Sequence, residues 1–220
     1  MTPLQVENSL DKIHFIKNLI IGGAQVSENL KQKIANTLKD KNADCHIFET
    51  YGMSETLSHI ALKEIYPNEN EYFSILNDIE ISTDDRNCLK IEAPKLNSEI
   101  LQTNDIVDLI DDKHFQFLGR VDFVINSGGA KISPEKLELF LKSELLKFGI
   151  ENELIFASKN DEILGQKLVL VIEGNFNENI IQKVNSIAFE KKFHKPKEIQ
   201  FIQKFPRTEN GKILRKYLPK

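Results

Sequence analysis

The 220-residue sequence predicts an α/β unit and a small β-barrel, followed by a small α+β domain. Three observations carry that reading. Near the start, an apolar run stopped by glycines, an amphipathic stretch and a second apolar run follow one another, the order of a parallel strand–helix–strand unit. From about residue 71 the chain breaks into short apolar runs separated by Asn, Asp and Pro, the texture of a small antiparallel sheet or barrel. After Gly119, strand and helix patterns alternate over about one hundred residues, enough for one compact domain.

The elements follow in order. "IKNLIIGG" (16–23) is a buried strand ended by two glycines. "SENLKQKIANTLKDK" has Leu30, Ile34 and Leu38 at four-residue spacing, with Ser27 as the N-cap candidate, and reads as an amphipathic helix. "DCHIFET" (44–50) is the second strand. "EYFSIL", "IEIS", "CLKIEA", "EILQT", "IVDLID" and "HFQFLG" supply the barrel strands. "DFVINSGGAKI" is a strand, a glycine turn and a strand. "SPEKLELFLKSELLKFG" is a helix with Ser133 at the N-cap, Pro134 at N1 and an apolar face of Leu137, Phe140 and Leu141. "ELIFASK" and "QKLVLVIEG" are strands, "NENIIQKVNSIAFEKKF" is a helix and "KEIQFI" is a strand. The domain boundary is expected at "GRVD" (119–122), giving domains 1–119 and 120–220.

Composition narrows the function classes. A net charge of −4 gives no general reason to expect nucleic acid. Residues 181–220 nevertheless carry eleven Lys or Arg against three Asp or Glu, which reads as a solvated face or as an anion-facing module. Cys45 and Cys88 are far apart and fit neither a disulfide framework nor a zinc site. Such cysteine usage suits a reducing cytoplasm. No apolar run approaches membrane-spanning length, and no leader pattern is evident.

Four stretches could carry chemistry. "ETYGMSET" (49–56) follows a strand, where α/β sheets bind ligands. Gly52 allows close backbone approach, Ser54 offers a hydroxyl and Glu55 a hard oxygen suited to Mg2+; the alternative is an ordinary turn. "TND" places Asp105 between two strands, as a turn former or as an acceptor for a ribose diol. In "GRVDFVINSGGAKISP", Arg120 and Asp122 could meet a polar ligand or make a surface pair, and Gly128–Gly129 could pass a slim ligand or form a plain hairpin. Lys212, in "FPRTENGKILRKYL", follows a flexible turn on the basic tail and taken alone is a solvated cation.

In combination these stretches resemble the adenylate-forming superfamily of acyl-CoA synthetases, peptide-synthetase adenylation domains and luciferases. "GGA" (22–24) is similar to its adenine-side loop. "YGMSE" is similar to the Tyr-Gly-x-Thr-Glu motif, with Ser54 for Thr, and "TND" to Thr-Gly-Asp, with Asn104 for Gly. "GRVDFVINSGGAKISPEKLE" matches the hinge motif and "PRTENGKILR" the C-terminal lysine motif. The family's Ser/Thr/Gly-rich phosphate loop finds no counterpart, so the chain resembles the C-terminal portion of a ligase, beginning inside the large domain. "TPLQVENSL", "LIIGGAQVS" and "ETYGMSETLSHIALK" are most similar to o-succinylbenzoate–CoA ligases of menaquinone synthesis.

The resemblance implies a two-step reaction. A small-molecule carboxylate attacks the α-phosphate of ATP, and the CoA thiol then displaces AMP. It implies Lys212 as the cation bridging carboxylate and α-phosphate, and Glu55 as the Mg2+ ligand. Ser54 would contact phosphate, and Asp105 and Arg120 would hold the ribose hydroxyls. The backbone of Gly22, Gly23 and Ala24 and of Thr50, Tyr51 and Gly52 would frame the adenine. Asp122 would be the hinge of a mobile C-terminal domain, and Gly128 and Gly129 would line the pantetheine tunnel. Two other readings stay open. One is another aryl- or acyl-CoA ligase; the other is a nucleotide-binding or interaction module without catalysis, in keeping with the missing phosphate loop.

Overall fold

The computed structural model describes residues 1–39, 41, 44–76, 78–209 and 211–218. They form two compact units: Met1–Leu118 with Glu209–Lys212, and Gly119–Thr208 with Ile213–Lys220.

In the first unit, a short helix α1 (Pro3–Glu7) is closed by a capping box between Thr2 and Gln5. Strand β1 (Asn18–Ile21) leads through Gly22 to helix α2 (Glu28–Leu38). The Ser27 side chain accepts from the Leu30 amide at 3.2 Å, as a good N-cap does. Strand β2 (His46–Gly52) pairs parallel with β1, Leu19 opposite Ile47 and Ile21 opposite Glu49. The apolar stripe of α2, Leu30, Ile34 and Leu38, packs with Leu19, Ile21 and Ile47 and with Val6 of α1 in one core cluster.

Strands β3 (His59–Tyr66), β4 (Phe73–Ile75), β5 (Glu80–Thr83), β6 (Cys88–Glu92), β7 (Leu101–Leu109) and β8 (His114–Arg120) follow. Among the described residues a closed small barrel is not shown: these strands continue the sheet of β1 and β2 in the order β1-β2-β3-β4-β8-β7-β6-β5, one eight-stranded mixed sheet running from β1 to β5. The separating strand is β3. "HIALKEIY" has no clean alternation and is rich in helix formers, but β2 on one side and β4 on the other supply its hydrogen bonds. A second core, with Tyr51, Ile60, Phe73, Leu89, Ile91, Val107 and Phe115, lies on these strands. "TND" also departs from expectation. Thr103, Asn104 and Asp105 lie inside β7, which runs unbroken through both predicted strands.

The second unit holds β9 (Ile125–Ser127), β10 (Ala130–Ile132), α3 (Pro134–Leu146), β11 (Leu154–Asp161), β12 (Gly165–Glu173), α4 (Glu178–Ser186) and β13 (Glu198–Ile202). The sheet order is β10-β9-β12-β11, with β13 parallel to β12. Ser133 stands at the N-cap of α3, but its side chain makes no capping hydrogen bond; Pro134 at N1 starts the helix. Helix α4 ends at Ser186, short of the predicted segment. The run "LVLVI" in β12 is buried on both faces, and the reason lies in two clusters. Leu168, Leu170 and Ile172 pack with Leu137, Leu141 and Ile180 of the helices. Val169 and Val171 pack with Phe205 and Leu218 of the C-terminal tail. A strand covered on both faces has no reason to alternate. Among the described residues, no helix is long and apolar enough to cross a membrane.

Candidate functional site

The first unit brings several predicted residues together at the C-terminal ends of its two parallel strands. Gly22 follows β1, and Thr50, Tyr51 and Gly52 end β2. A Cβ on Gly22 would lie 2.5 Å from the Thr50 Oγ1, so any larger residue there requires the Thr50 side chain to shift. The Gly22 amide donates to the Met1 carbonyl at 2.9 Å. Gly23 has φ +84°, and Ala24 follows it in the loop to α2. That loop is held by a residue the sequence reading missed. Glu49, 3 % exposed, accepts from the Val26 amide at 3.0 Å and pairs with Lys63 at 2.9 Å. The signal for it was a carboxylate at an inward position of a buried strand.

Tyr51 turns inward. Its ring centroid is 5.1 Å from Phe115 and 5.9 Å from Phe73, and its hydroxyl donates to Asp105 Oδ2 at 2.6 Å. Both residues are buried. The Asp105 amide donates to Thr103 Oγ1 at 3.1 Å. The aromatic ring thus supports Asp105 from behind while the Tyr51 backbone stays in the β2 end.

Beyond Gly52 the chain turns tightly. A Cβ there would meet the His59 Cα and the Ser58 carbonyl oxygen, each at 2.6 Å. Ser54, Glu55 and Thr56 form a single 3-10 turn ending at Leu57, whose φ is +60°. Thr56 is the second residue missed. Its buried hydroxyl accepts from the Met53 amide at 3.0 Å and lies 2.9 Å from the Met53 carbonyl and 2.6 Å from the Ser58 carbonyl. This leaves Ser54 and Glu55 exposed on the outside of the turn. Among the described residues, no group of three His, Cys, Asp or Glu could hold a metal. One exposed carboxylate together with phosphate oxygens is a donor set that suits Mg2+.

The second unit holds Arg120, Asp122, Gly128 and Gly129. Arg120 Nη2 pairs with Asp122 Oδ2 at 2.8 Å, across the short 3-10 turn Val121–Phe123. Gly128 and Gly129 have φ +55° and +83° and connect β9 to β10 with Ser127 opposite Ala130, a two-residue hairpin turn that needs positive φ at both positions. A Cβ on Gly129 would meet nothing within 4 Å, whereas one on Gly128 would be 3.0 Å from Leu164. The turn therefore presents bare backbone.

Lys212 is exposed, on a loop whose two limbs meet where Arg207 bridges antiparallel to Ile213. Asn210 of that motif lies outside the described residues. Glu209–Lys212 belong to the first unit, whereas the sequence placed all of 120–220 in the second.

No family model matches the chain. The chain is 26 % identical to a 2-succinylbenzoate–CoA ligase of Lactococcus lactis, over 99 % of this chain and 50 % of that protein. It is 24 % identical to a vibriobactin-specific 2,3-dihydroxybenzoate–AMP ligase of Vibrio cholerae, over 93 % of this chain and 41 % of that one. The chain thus spans about half the length, or less, of these curated relatives. Among solved structures, an acyl-CoA synthetase (AMP-forming)/AMP-acid ligase II-like protein of Dyadobacter fermentans is 31 % identical, with a TM-score of 0.52 over 98 % of this chain and 62 % of that one. The o-succinylbenzoate–CoA synthetase of Bacillus subtilis, solved with ATP and magnesium, gives a TM-score of 0.74 at 18 % identity, over 99 % of this chain and 50 % of that one. At that identity the likeness shows the fold. Homologues and structural neighbours over most of the chain are of one kind: what the chain is similar to are acyl-CoA synthetases and other adenylate-forming ligases.

Proposed function

We propose that this chain is part of an acid–thiol ligase that adenylates o-succinylbenzoate with ATP and passes the acyl group to CoA, in the cytoplasm. The observation that carries the reading is the similarity to a 2-succinylbenzoate–CoA ligase along 99 % of the chain. The cluster at the ends of β1 and β2 supports it, because close-packed glycines beside a supported carboxylate suit a nucleoside.

In this reading the backbone of Gly22–Ala24 and Thr50–Gly52 frames the adenine. Asp105 accepts from the ribose hydroxyls, held in place by Tyr51. Ser54 contacts phosphate and Glu55 is the carboxylate for Mg2+, which neutralises phosphate charge when bound. Carboxylate and α-phosphate are both anions, so their approach needs a cation aimed at the developing charge. Lys212 supplies it as a compact ammonium on a loop. Asp122 is the hinge residue, and the bare turn Gly128–Gly129 passes the pantetheine arm. The alternative is a nucleotide-binding or interaction module without catalysis of its own.

ATP–pyrophosphate exchange with o-succinylbenzoate separates the two. It is measured on this chain alone and on this chain joined to the half of the Lactococcus ligase that it does not cover. Exchange is expected only from the joined protein, and Lys212→Ala abolishes it. Exchange by this chain alone that survives Lys212→Ala, or none from a well-folded joined protein, contradicts the proposal.

A further inference from the structure

The second unit contains a buried ion pair that the proposed chemistry does not use. Glu138 of α3, 7 % exposed, accepts from Arg215 Nη1 at 2.7 Å and from Nη2, a two-pronged pair. It also accepts from the Phe156 amide of β11 at 2.7 Å. Burial pushes the Glu138 carboxyl up from its ordinary value, and Arg215 opposes that push. Pairs taken this far out of water are costly unless every partner is satisfied, so one that persists calls for a reason.

Its position offers one. Arg215 stands three residues after Lys212, on the outgoing limb of the lysine loop. The Leu214 amide donates to the Pro206 carbonyl at 2.8 Å, closing the loop base. The incoming limb is held separately: Glu173 accepts from the Phe205 amide at 2.8 Å and pairs with Arg207. On its other side, the Arg215 guanidinium lies over the Phe123 ring, 5.2 Å from its centroid. Phe123 directly follows Asp122. The first turn of α3 reaches the same segment, because a Cβ on Gly119 would be 2.8 Å from Glu135 Oε2. Glu135 is charge-coupled to Arg215 as well.

We propose that Glu138 and Arg215 are positioning residues that lock residues 213–215, the outgoing base of the Lys212 loop, to the Gly119–Phe123 segment within the second unit. The importance of that coupling for catalysis rests on the acid–thiol ligase reading; the coupling itself does not.

Amide hydrogen exchange on the 220-residue chain tests it without any ligand. Two hydrogen-bonded reporters are Leu214, and Val124, whose amide donates to the Val121 carbonyl at 3.2 Å. Arg215→Lys keeps the charge but loses the planar fork. It is expected to speed exchange at least tenfold at both Leu214 and Val124, with Leu168–Ile172 of β12 unchanged. Glu138→Gln keeps an acceptor for Phe156 and is expected to give the same paired rise at smaller size. Faster exchange at Leu214 with Val124 at its wild-type rate overturns the proposal and makes Arg215 a local anchor. A rise spread through β11 and β12 also overturns it, because the pair would then serve folding alone. Neither result bears on pyrophosphate exchange, so the ligase reading fails or stands separately.

Discussion

The Tyr51 hydroxyl donates to Asp105 Oδ2 at 2.6 Å, between residues 54 positions apart that each stand in a motif of the family resemblance. One aromatic residue thereby joins the end of β2 to the middle of β7. Tyr51→Phe removes the donor of this hydrogen bond to a buried carboxylate. The expected cost is about 1–3 kcal/mol, seen as a lower melting temperature of the chain. AMP affinity is expected to fall further than for a surface substitution of equal stability cost. An unchanged melting temperature would show that Asp105 needs no such support.

Gly52 and Gly22 are close-approach glycines of different kinds. At Gly52 the obstacle to a side chain is backbone, which cannot rotate away, and Gly52→Ala is expected to cost about 2–3 kcal/mol by overpacking. At Gly22 the obstacle is the Thr50 side chain, which a change of rotamer relieves. Gly22→Ala is expected to cost clearly less, and denaturant melts of both variants check the order.

Thr56 knits the turn that exposes Ser54 and Glu55. Thr56→Ala removes the acceptor of the part-buried Met53 amide and is expected to cost about 1–3 kcal/mol. Thr56→Ser keeps the hydroxyl and is expected to stay nearer the wild type. Equal loss in both would assign the effect to the methyl group instead.

Glu198 sets an acid limit on the second unit. Hydrogen bonds from Lys167, Gln200 and Lys159 hold its carboxyl down at about 2. A lowered carboxylate contributes stability above its unfolded value near 4.5, and that contribution is lost as pH falls from there towards 2. Glu198→Gln is therefore expected to flatten the fall in melting temperature between pH 4.5 and 2, with little change at pH 7 relative to its own plateau.

Much of this architecture was legible from local pattern. Ser27, Leu30, Ile34 and Leu38 define α2, and paired glycines at 128 and 129 define a hairpin turn, because both signals are contained in a few neighbouring residues. What escaped depends on distant partners. Strand β3 is made a strand by β2 and β4, and the sheet runs on through it from β2 to β4. The pairs Tyr51–Asp105, Glu49 with Val26, and Glu138–Arg215 join residues 23 to 77 positions apart. No spacing rule reaches that far. The residue types at Gly22, Gly52 and Asp105 were readable as candidates; the steric reason for each glycine required the neighbour's coordinates.

The central claim is that the first unit carries the adenosine end of a ligase site. It is tested most directly by calorimetric titration of this chain and of Asp105→Ala with AMP and with 2′,3′-dideoxy-AMP. The expected result is saturable AMP binding, at least tenfold weaker for the dideoxy nucleotide, with that preference lost in Asp105→Ala. No AMP binding by the folded chain, or equal binding of both nucleotides, would contradict it.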